Sequence, residues 1–305
     1  MPVGRGLGWA ALVFTVLVWA SYLVAARAAV TAAFTPVELG VLRFLPGALL
    51  FAPVLARRGL RPGGARWRDV LAVGGFGGVG FVLLLTGGLR FAPAADAGMF
   101  TPTMLPVFVA LLGVALGSDA VPRGWRLLGL GLIVSGALAV GGWEALANTA
   151  SGAWRGHLMF LAASLSWAIY TLAYRRSGLG PIESAAMMCF WAGAGFVVLA
   201  LFNGVDFLRH GWGVFLFHLT LQGLFSGFLA TITYFFAITR LGAQPAAAFA
   251  ALVPGLAAAL AWPVLGEALG WVKAGGLAVV TLGVLLASGA LSRGPARPAP
   301  PPAGR

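Results

Sequence analysis

Residues 8–27 read GWAALVFTVLVWASYLVAAR, and residues 156–175 read GHLMFLAASLSWAIYTLAYR. At one offset of 148 the two stretches share Gly8/Gly156, Leu17/Leu165, Trp19/Trp167, Ala20/Ala168, Tyr22/Tyr170, Ala25/Ala173 and Arg27/Arg175. Ala and Leu coincide by chance in any pair of apolar helices; Trp, Tyr and Arg rarely do. The register continues, with Pro106 on Pro254 and Asp119 on Glu267. Pro36-Val37-Glu38 meets Pro181-Ile182-Glu183 at an offset of 145, which marks a short indel. The chain therefore reads as two copies of one unit, residues 1–145 and 146–292, followed by a Pro-rich polar tail, 293–305, of the kind that stays extended and disordered.

Composition says where such a unit lives. The 305 residues are 60% hydrophobic and 9% charged, with a mean hydropathy of +0.94. Soluble domains carry about 25% charged residues, so this chain cannot coat a soluble surface, and its apolarity excludes intrinsic disorder. A single cysteine, Cys189, leaves no intramolecular disulfide framework. A bilayer core of about 30 Å takes about 20 apolar residues per helix. Ten such runs are predicted, at 7–29, 36–56, 69–89, 94–116, 123–142, 155–174, 181–202, 214–236, 245–266 and 270–291. They do not alternate as the strands of a membrane barrel do, so the fold class is an all-α membrane protein with ten transmembrane helices. The first run exceeds a signal-peptide core, and its motif recurs mid-chain, so it reads as a retained helix.

The loops orient the spans. Arg57, Arg58, Arg61, Arg66 and Arg68 crowd the connection between the second and third runs and belong on the cytoplasmic side. With both termini cytoplasmic, fourteen basic residues fall inside and five (Arg27, Arg90, Arg155, Arg209, Lys273) outside. The net charge of +12 is thus an orientation signal in short loops rather than a nucleic-acid footprint. Five helices per copy is an odd number, so the second copy must enter from the opposite face. That is the inverted repeat on which many secondary transporters build alternating access.

The motifs resemble a known family. Trp19-Ala-Ser-Tyr22 and Ser166-Trp-Ala-Ile-Tyr170, Arg43 in the second span, the late prolines of the fourth and ninth spans, and Leu265-Gly266-Glu267 before a glycine-bearing last helix resemble the EamA-type permeases of the drug/metabolite transporter (DMT) superfamily. The resemblance covers residues 7–291. It implies an inner-membrane carrier without enzymatic activity or cofactor, for small organic metabolites such as amino acids or their derivatives, with drug or toxic-compound efflux as the alternative. Export rather than uptake is likewise implied by the resemblance alone. Two departures stand out: Ser118-Asp119 replaces Gly266-Glu267 in the first copy, and Arg43 has no arginine counterpart in the seventh span.

Several residues are candidates for the site, each with an ordinary alternative. Arg43 lies roughly 10 Å inside its span; it either holds a substrate anion or pairs structurally with Glu38 or Asp96. Trp19, Tyr22, Trp167 and Tyr170 stack cargo or anchor the interface. Pro102, Pro106 and Pro254, with Pro263, kink the two corresponding helices, and Thr101 and Thr103 flank the first kink. A polar stripe (Trp191, His218, Thr220, Gln222, Ser226, Thr231, Thr233, Tyr234) lines either a wet cavity, with Gln222 and Tyr234 on cargo, or helix contacts. His218 stands near a span end and is expected to be solvent-exposed. Asp119 and Glu267 cap helix ends or serve as gate or coupling groups. No Asp or Glu falls mid-span, so the pattern shows no buried proton relay, and the coupling proton or ion is left open.

Other chemistries lack their residues. Gly75–Gly80 spells GxGxxG inside a span, where no strand-to-helix turn exists, so it reads as close packing through Gly74 and Gly78. There is no P-loop, and His157, His210 and His218 with Cys189 have no metal-site spacing. A lipid-modifying membrane enzyme needs clustered acids or a nucleophile with its base, whereas the acids here are single. A passive channel is the other rival. The expected partners are a small-molecule substrate and the lipid bilayer.

Overall fold

The computed structural model describes residues 3–147 and 149–289; the tail at 293–305 lies outside them. The described secondary structure is all helical. We label the helices α1 (Val3–Thr31), α2 (Pro36–Leu50), α3 (Ala52–Arg58), α4 (Trp67–Gly88), α5 (Ala94–Ala115), α6 (Gly124–Ala147), α7 (Ala153–Ser177), α8 (Pro181–Asn203), α9 (Gly211–Leu241), α10 (Ala243–Ala250), α11 (Val253–Leu265) and α12 (Trp271–Ala287). Short 3₁₀ turns at Pro62–Gly64 and Thr149–Ser151 lie in loops.

Ten equal spans are not what the described residues contain. Seven helices are long and apolar enough to cross a bilayer, eight if α2 and α3, bent by 58° at Phe51, count as one. Apart from that bent pair, the shortfall lies in the second copy: α11 begins only after the turn at Ala251-Leu252, and both α11 and α12 are shorter apolar helices.

Local chemistry places the ends. Thr35 caps α2, its hydroxyl accepting from the Glu38 N–H at 3.1 Å while Glu38 Oε2 accepts from the Thr35 N–H at 2.7 Å, with Pro36 at the first helical position. At the equivalent start of α8, after Pro181, Glu183 accepts from the Gly180 N–H at 3.1 Å. The left-handed Gly266 (φ 68°) closes α11, a conformation that a side chain would strain. Within α5 the helix lapses into turns at 101–104, where Pro102 and Pro106 cannot donate a backbone hydrogen bond.

The repeat is written into the backbone. Both α4 and α9 widen to π-helix, starting at Leu71 and at Leu219, and α5 resumes at Leu105 as α11 starts at Val253; each pair stands 148 residues apart. Packing is reciprocal. α1 packs on α9 and α11, while α7 packs on α4 and α5; α2 packs on α9, and α8 on α4. Equivalent helices also meet each other, α2 with α8, α5 with α11 and α6 with α12.

Small residues permit those contacts. A Cβ built on Gly40 would lie 2.1 Å from Phe196, and one on Gly47 would lie 2.9 Å from the Cys189 sulfur, so α2 and α8 run antiparallel. Along α6 and α12, Gly129 faces Gly283 and Gly136 faces Gly276, again antiparallel. Gly74 and Gly78 lie against Trp191 and Ala192 of α8, the close packing expected of that glycine run. The core is built from the buried sides of all these helices, with Phe34, Phe160 and Phe196 among its largest fully buried side chains.

Substitution of Gly283 by Leu should lower the thermal unfolding midpoint of the detergent-purified protein. Its Cβ would stand 2.7 Å from the Gly129 carbonyl oxygen and 2.8 Å from the Ile133 nitrogen, backbone atoms that cannot turn aside. Overpacking of this kind costs about 1–3 kcal/mol. Gly131→Leu, with nothing within 4 Å, should leave the midpoint unchanged.

Candidate functional site

A cavity of about 450 Å³ opens between the two copies. The first copy lines it from α1 (Trp19, Tyr22), α2 (Arg43, Phe44), α4 (Phe81) and the broken stretch of α5 (Thr101, Pro102, Thr103, Pro106). The second copy lines it from α7 (Trp167, Tyr170, Tyr174), α8 (Met188, Cys189), α9 (Ser226, Thr231, Tyr234) and α11 (Val253). Both Trp/Tyr pairs of the repeat therefore face one space. Trp19 packs on Tyr234 with ring centroids 4.9 Å apart, and Trp167 stands edge-on to Phe81 at 5.3 Å. Tyr22 is buried; Trp19 and Trp167 are half-buried.

Among the described residues, Arg43 is the one cation on this wall. Its Nη1 donates to Ser226 Oγ at 2.8 Å, and its guanidinium carbon sits 4.2 Å from the centroid of the Tyr22 ring. Its Nε is buried without a hydrogen-bond partner among the described residues. The pairing with Glu38 or Asp96 entertained from the sequence is absent: Glu38 is spent on the Thr35 cap and on the Asp206 N–H at 2.8 Å, and Asp96 on His157 and Lys273. All eight carboxylates of the chain have other partners: Asp69 with Arg68, Asp119 with Arg175, Glu144 with Lys273, Glu183 with Arg58, Asp206 with Arg209, Glu267 with Arg27.

Two expectations are corrected. Gln222 does not line the cavity; it lies one turn from Ser226 towards the start of α9, fully buried, with its Nε2 3.0 Å from His218 Nδ1. His218 is buried against Phe34 rather than exposed, since α9 continues unbroken past it. Pro254 stands at the first turn of α11, just after the break at 251–252, packed close to Gly98 where α5 meets α11. Thr101 and Thr103 do reach the wall, although their hydroxyls bond back to the Phe160 carbonyl at 3.5 Å and to the Met99 carbonyl. Thr233 bonds Thr15 at 2.7 Å, tying α9 to α1.

Phe81 and Tyr174 entered the cavity with no sequence signal beyond being aromatic in a span. Asp96, weighed from the sequence only as a partner for Arg43, meets other groups instead. It is fully buried near the start of α5, with Oδ2 at 2.8 Å from His157 Nε2 and 3.0 Å from Lys273 Nζ. No spacing links these three residues, and the helix ends bring them together.

Asp119 and Glu267 acquire partners that the repeat only hinted at. Arg27 Nε donates to Glu267 Oε1 at 2.8 Å, and Arg175 makes a bidentate pair with Asp119 at 2.8 and 3.0 Å. Arg27 and Arg175 are repeat equivalents, as are Asp119 and Glu267, so each copy lends its arginine to the acid of the other. Glu267 also accepts from the Ala94 N–H at 3.0 Å, and Arg27 donates to the Leu89 carbonyl. The hydrogen bonds from Arg175 hold the Asp119 carboxyl below the usual carboxylate range, outweighing its partial desolvation.

Helices of this length and apolarity define a multi-pass membrane protein, with a solute-sized cavity between its two copies. The chain belongs to the EamA-like transporter family, whose model matches it twice, at residues 6–142 and 154–289. A protein of Archaeoglobus fulgidus described as an uncharacterized transporter is 28% identical over 289 residues, spanning 90% of this chain and 95% of that protein. A solved crystal structure shares the fold, with a TM-score of 0.63 and 20% identity over 95% of this chain and 99% of that one.

The Asp119–Arg175 tie carries a pH signature. Because the carboxyl is held low in the folded protein, its stabilisation is present in full above the ordinary aspartate value of about 4 and is lost as pH falls through the depressed value. Asp119→Asn should therefore unfold at a lower temperature than wild type at neutral pH, and the gap should narrow in strong acid. Parallel thermal melts across pH check this, and a gap independent of pH would contradict it.

Proposed function

We propose that the protein is a secondary carrier that exports a small organic solute combining an anionic group, such as an amino-acid carboxylate, with an apolar or aromatic body. The observation that carries the reading is Arg43, a guanidinium in an aromatic-walled cavity with every carboxylate of the chain engaged elsewhere. A solute carboxylate would complete it by a bidentate pair, while Trp19, Tyr22, Trp167 and Tyr170 would take the body of the cargo. A drug or toxic-compound efflux carrier is the second reading, favoured by the mostly apolar lining, and it would treat Arg43 as a bystander.

Alternating access by two inverted five-helix repeats fits the packing. Equivalent helices that run antiparallel, and arginines that cross reciprocally to the acid of the other copy, are what a pseudo-two-fold axis in the membrane plane produces. In that reading α11 and α12 cross as well, giving ten spans in a bacterial inner membrane, with both termini and the 57–68 loop cytoplasmic. Arg27–Glu267 then lies at the outer end of the bundle and Arg175–Asp119 at the inner end. The cavity would open to one side when one pair parts.

Thermal-shift screening of purified protein against amino acids, aromatic carboxylates and their uncharged amides tests the cargo class. Saturation at 100 times Kd should add about 2.7 kcal/mol of stability, for carboxylates and not for amides. Arg43→Ala should weaken that binding about tenfold or more, since it removes a charged hydrogen bond worth about 1.5–3 kcal/mol. Undiminished transport by a normally expressed Arg43→Ala protein would overturn the anion site. In proteoliposomes, saturation and counterflow separate a carrier from a channel.

A further inference from the structure

A second concavity lies on the outside of the bundle, apart from the cavity between the copies. Pro53 has no N–H to give the Leu49 carbonyl, and the chain bends by 58° at Phe51, so α3 leaves the line of α2. Between this bent pair and α8 runs a groove of about 470 Å³. Its floor is made of small buried residues, Ala48 and Gly193, and its rims of the exposed Leu45, Leu49, Leu60 and Val197. α8 is long and apolar enough to cross a bilayer, so the groove meets acyl chains rather than water.

Arginines stand at one end of it. Leu60 of the rim lies between Arg57-Arg58 and Arg61, and these three, with Arg66 and Arg68, are all exposed. The loop that carries them is fastened to α8. Trp191 Nε1 donates to the Leu60 carbonyl at 3.0 Å, Trp67 stands edge-on to Trp191 at 5.6 Å, and the Arg61 guanidinium carbon lies 5.0 Å from the centroid of the Trp67 ring. Among the described residues two carboxylates meet this loop: Glu183, 3.5 Å from Arg58, and Asp69, 3.9 Å from Arg68. Five arginines against two acids leave three positive charges in excess, and Arg57 and Arg61 have no acid partner among the described residues. A signal for orientation needs only charge in the loop; it does not need the loop pinned at the mouth of a groove.

We propose that this groove is a binding site for an anionic phospholipid, one acyl chain lying along it and the lipid phosphate held by Arg57 and Arg61; the site does not depend on the carrier reading. A guanidinium meets phosphate oxygens in a bidentate pair, and basic pockets beside transmembrane helices take anionic head groups. A zwitterionic head group brings a cation of its own to a place already in positive excess. A second copy seated here about a two-fold axis would do the same, since such a contact sets identical patches face to face. The groove lies back to back with the cavity: Arg43 and Phe44 of α2 line the cavity, and Leu45 and Ala48 line the groove. A lipid there braces the stretch of α2 that carries the cavity's cation.

Native mass spectrometry of the delipidated protein in detergent counts bound lipids directly. The first phosphatidylglycerol should bind about tenfold tighter than phosphatidylcholine with the same chains, and Arg57→Gln/Arg61→Gln should erase that preference. Ala194→Trp fills the groove from an exposed position on α8 and should weaken the first phosphatidylglycerol about tenfold. Leu138→Trp, equally exposed but on α6, should leave it unchanged. Thermal midpoints in lipid-free detergent report the fold, and Ala52→Trp blocks the groove from the α3 side should Ala194→Trp lower them. Equal binding of the two lipids, a preference that survives loss of both arginines, or indifference to tryptophan in the groove overturns the site. Inorganic phosphate that displaces phosphatidylglycerol at equal concentration would overturn the lipid in favour of a free anion, and a protein dimer formed in place of the lipid complex would give the face to a second copy.

Discussion

A charge taken into a helix bundle inside a bilayer must find its opposite, because neither lipid nor packed side chains can solvate it. This chain has eight carboxylates to meet that demand, and their placement organises the molecule. Two cap equivalent helices, Glu38 at α2 and Glu183 at α8. Two more, Asp119 and Glu267, receive the crossing arginines. Asp96 and Glu144 share Lys273. Once these are spent, Arg43 stands alone against Tyr22 and Ser226, and its isolation gives the cavity its chemical character.

Close approach of backbones is the second constraint. Apolar helices in lipid gain nothing from hiding apolar surface, so they associate through tight packing. The glycines of α2, α6 and α12 bring equivalent helices into antiparallel contact, and those of α4 and α9 seat α8 and α2 against the π-helical stretches. Gly223 and Gly227 face the carbonyls of Leu42 and Arg43, which holds the backbone that carries the cavity's cation. The broken stretch at 101–104 serves the same end, since the turn that costs α5 its hydrogen bonds exposes Thr101 and Thr103 to the cavity.

Much of the site was legible because it is duplicated. Trp19/Trp167 and Tyr22/Tyr170 share one offset, and residues equivalent under a repeat converge where the two copies meet. Arg43 was legible for the opposite reason, as a lone charge inside a span. Gln222 misled because sharing a helix face with Ser226 does not give equal depth: it sits one turn nearer His218, which it contacts, beyond the cavity. His218 misled because nearness to a span end was equated with exposure, although Phe34 covers it. Asp96 and His157 stand 61 residues apart, and no motif connects them.

The sequence by itself determined the apolar helices, their duplication and membership in a transporter family, because hydrophobic run length and repeat offset are one-dimensional properties. It also determined which residues recur, since recurrence needs no coordinates. Only the tertiary structure decided which charge meets which: Arg27 with Glu267, Arg175 with Asp119, Lys273 with Asp96, and Arg43 with no acid among the described residues. Pairing depends on distance across helices remote in sequence, and Coulomb interactions and desolvation are set by that distance and by burial rather than by position along the chain.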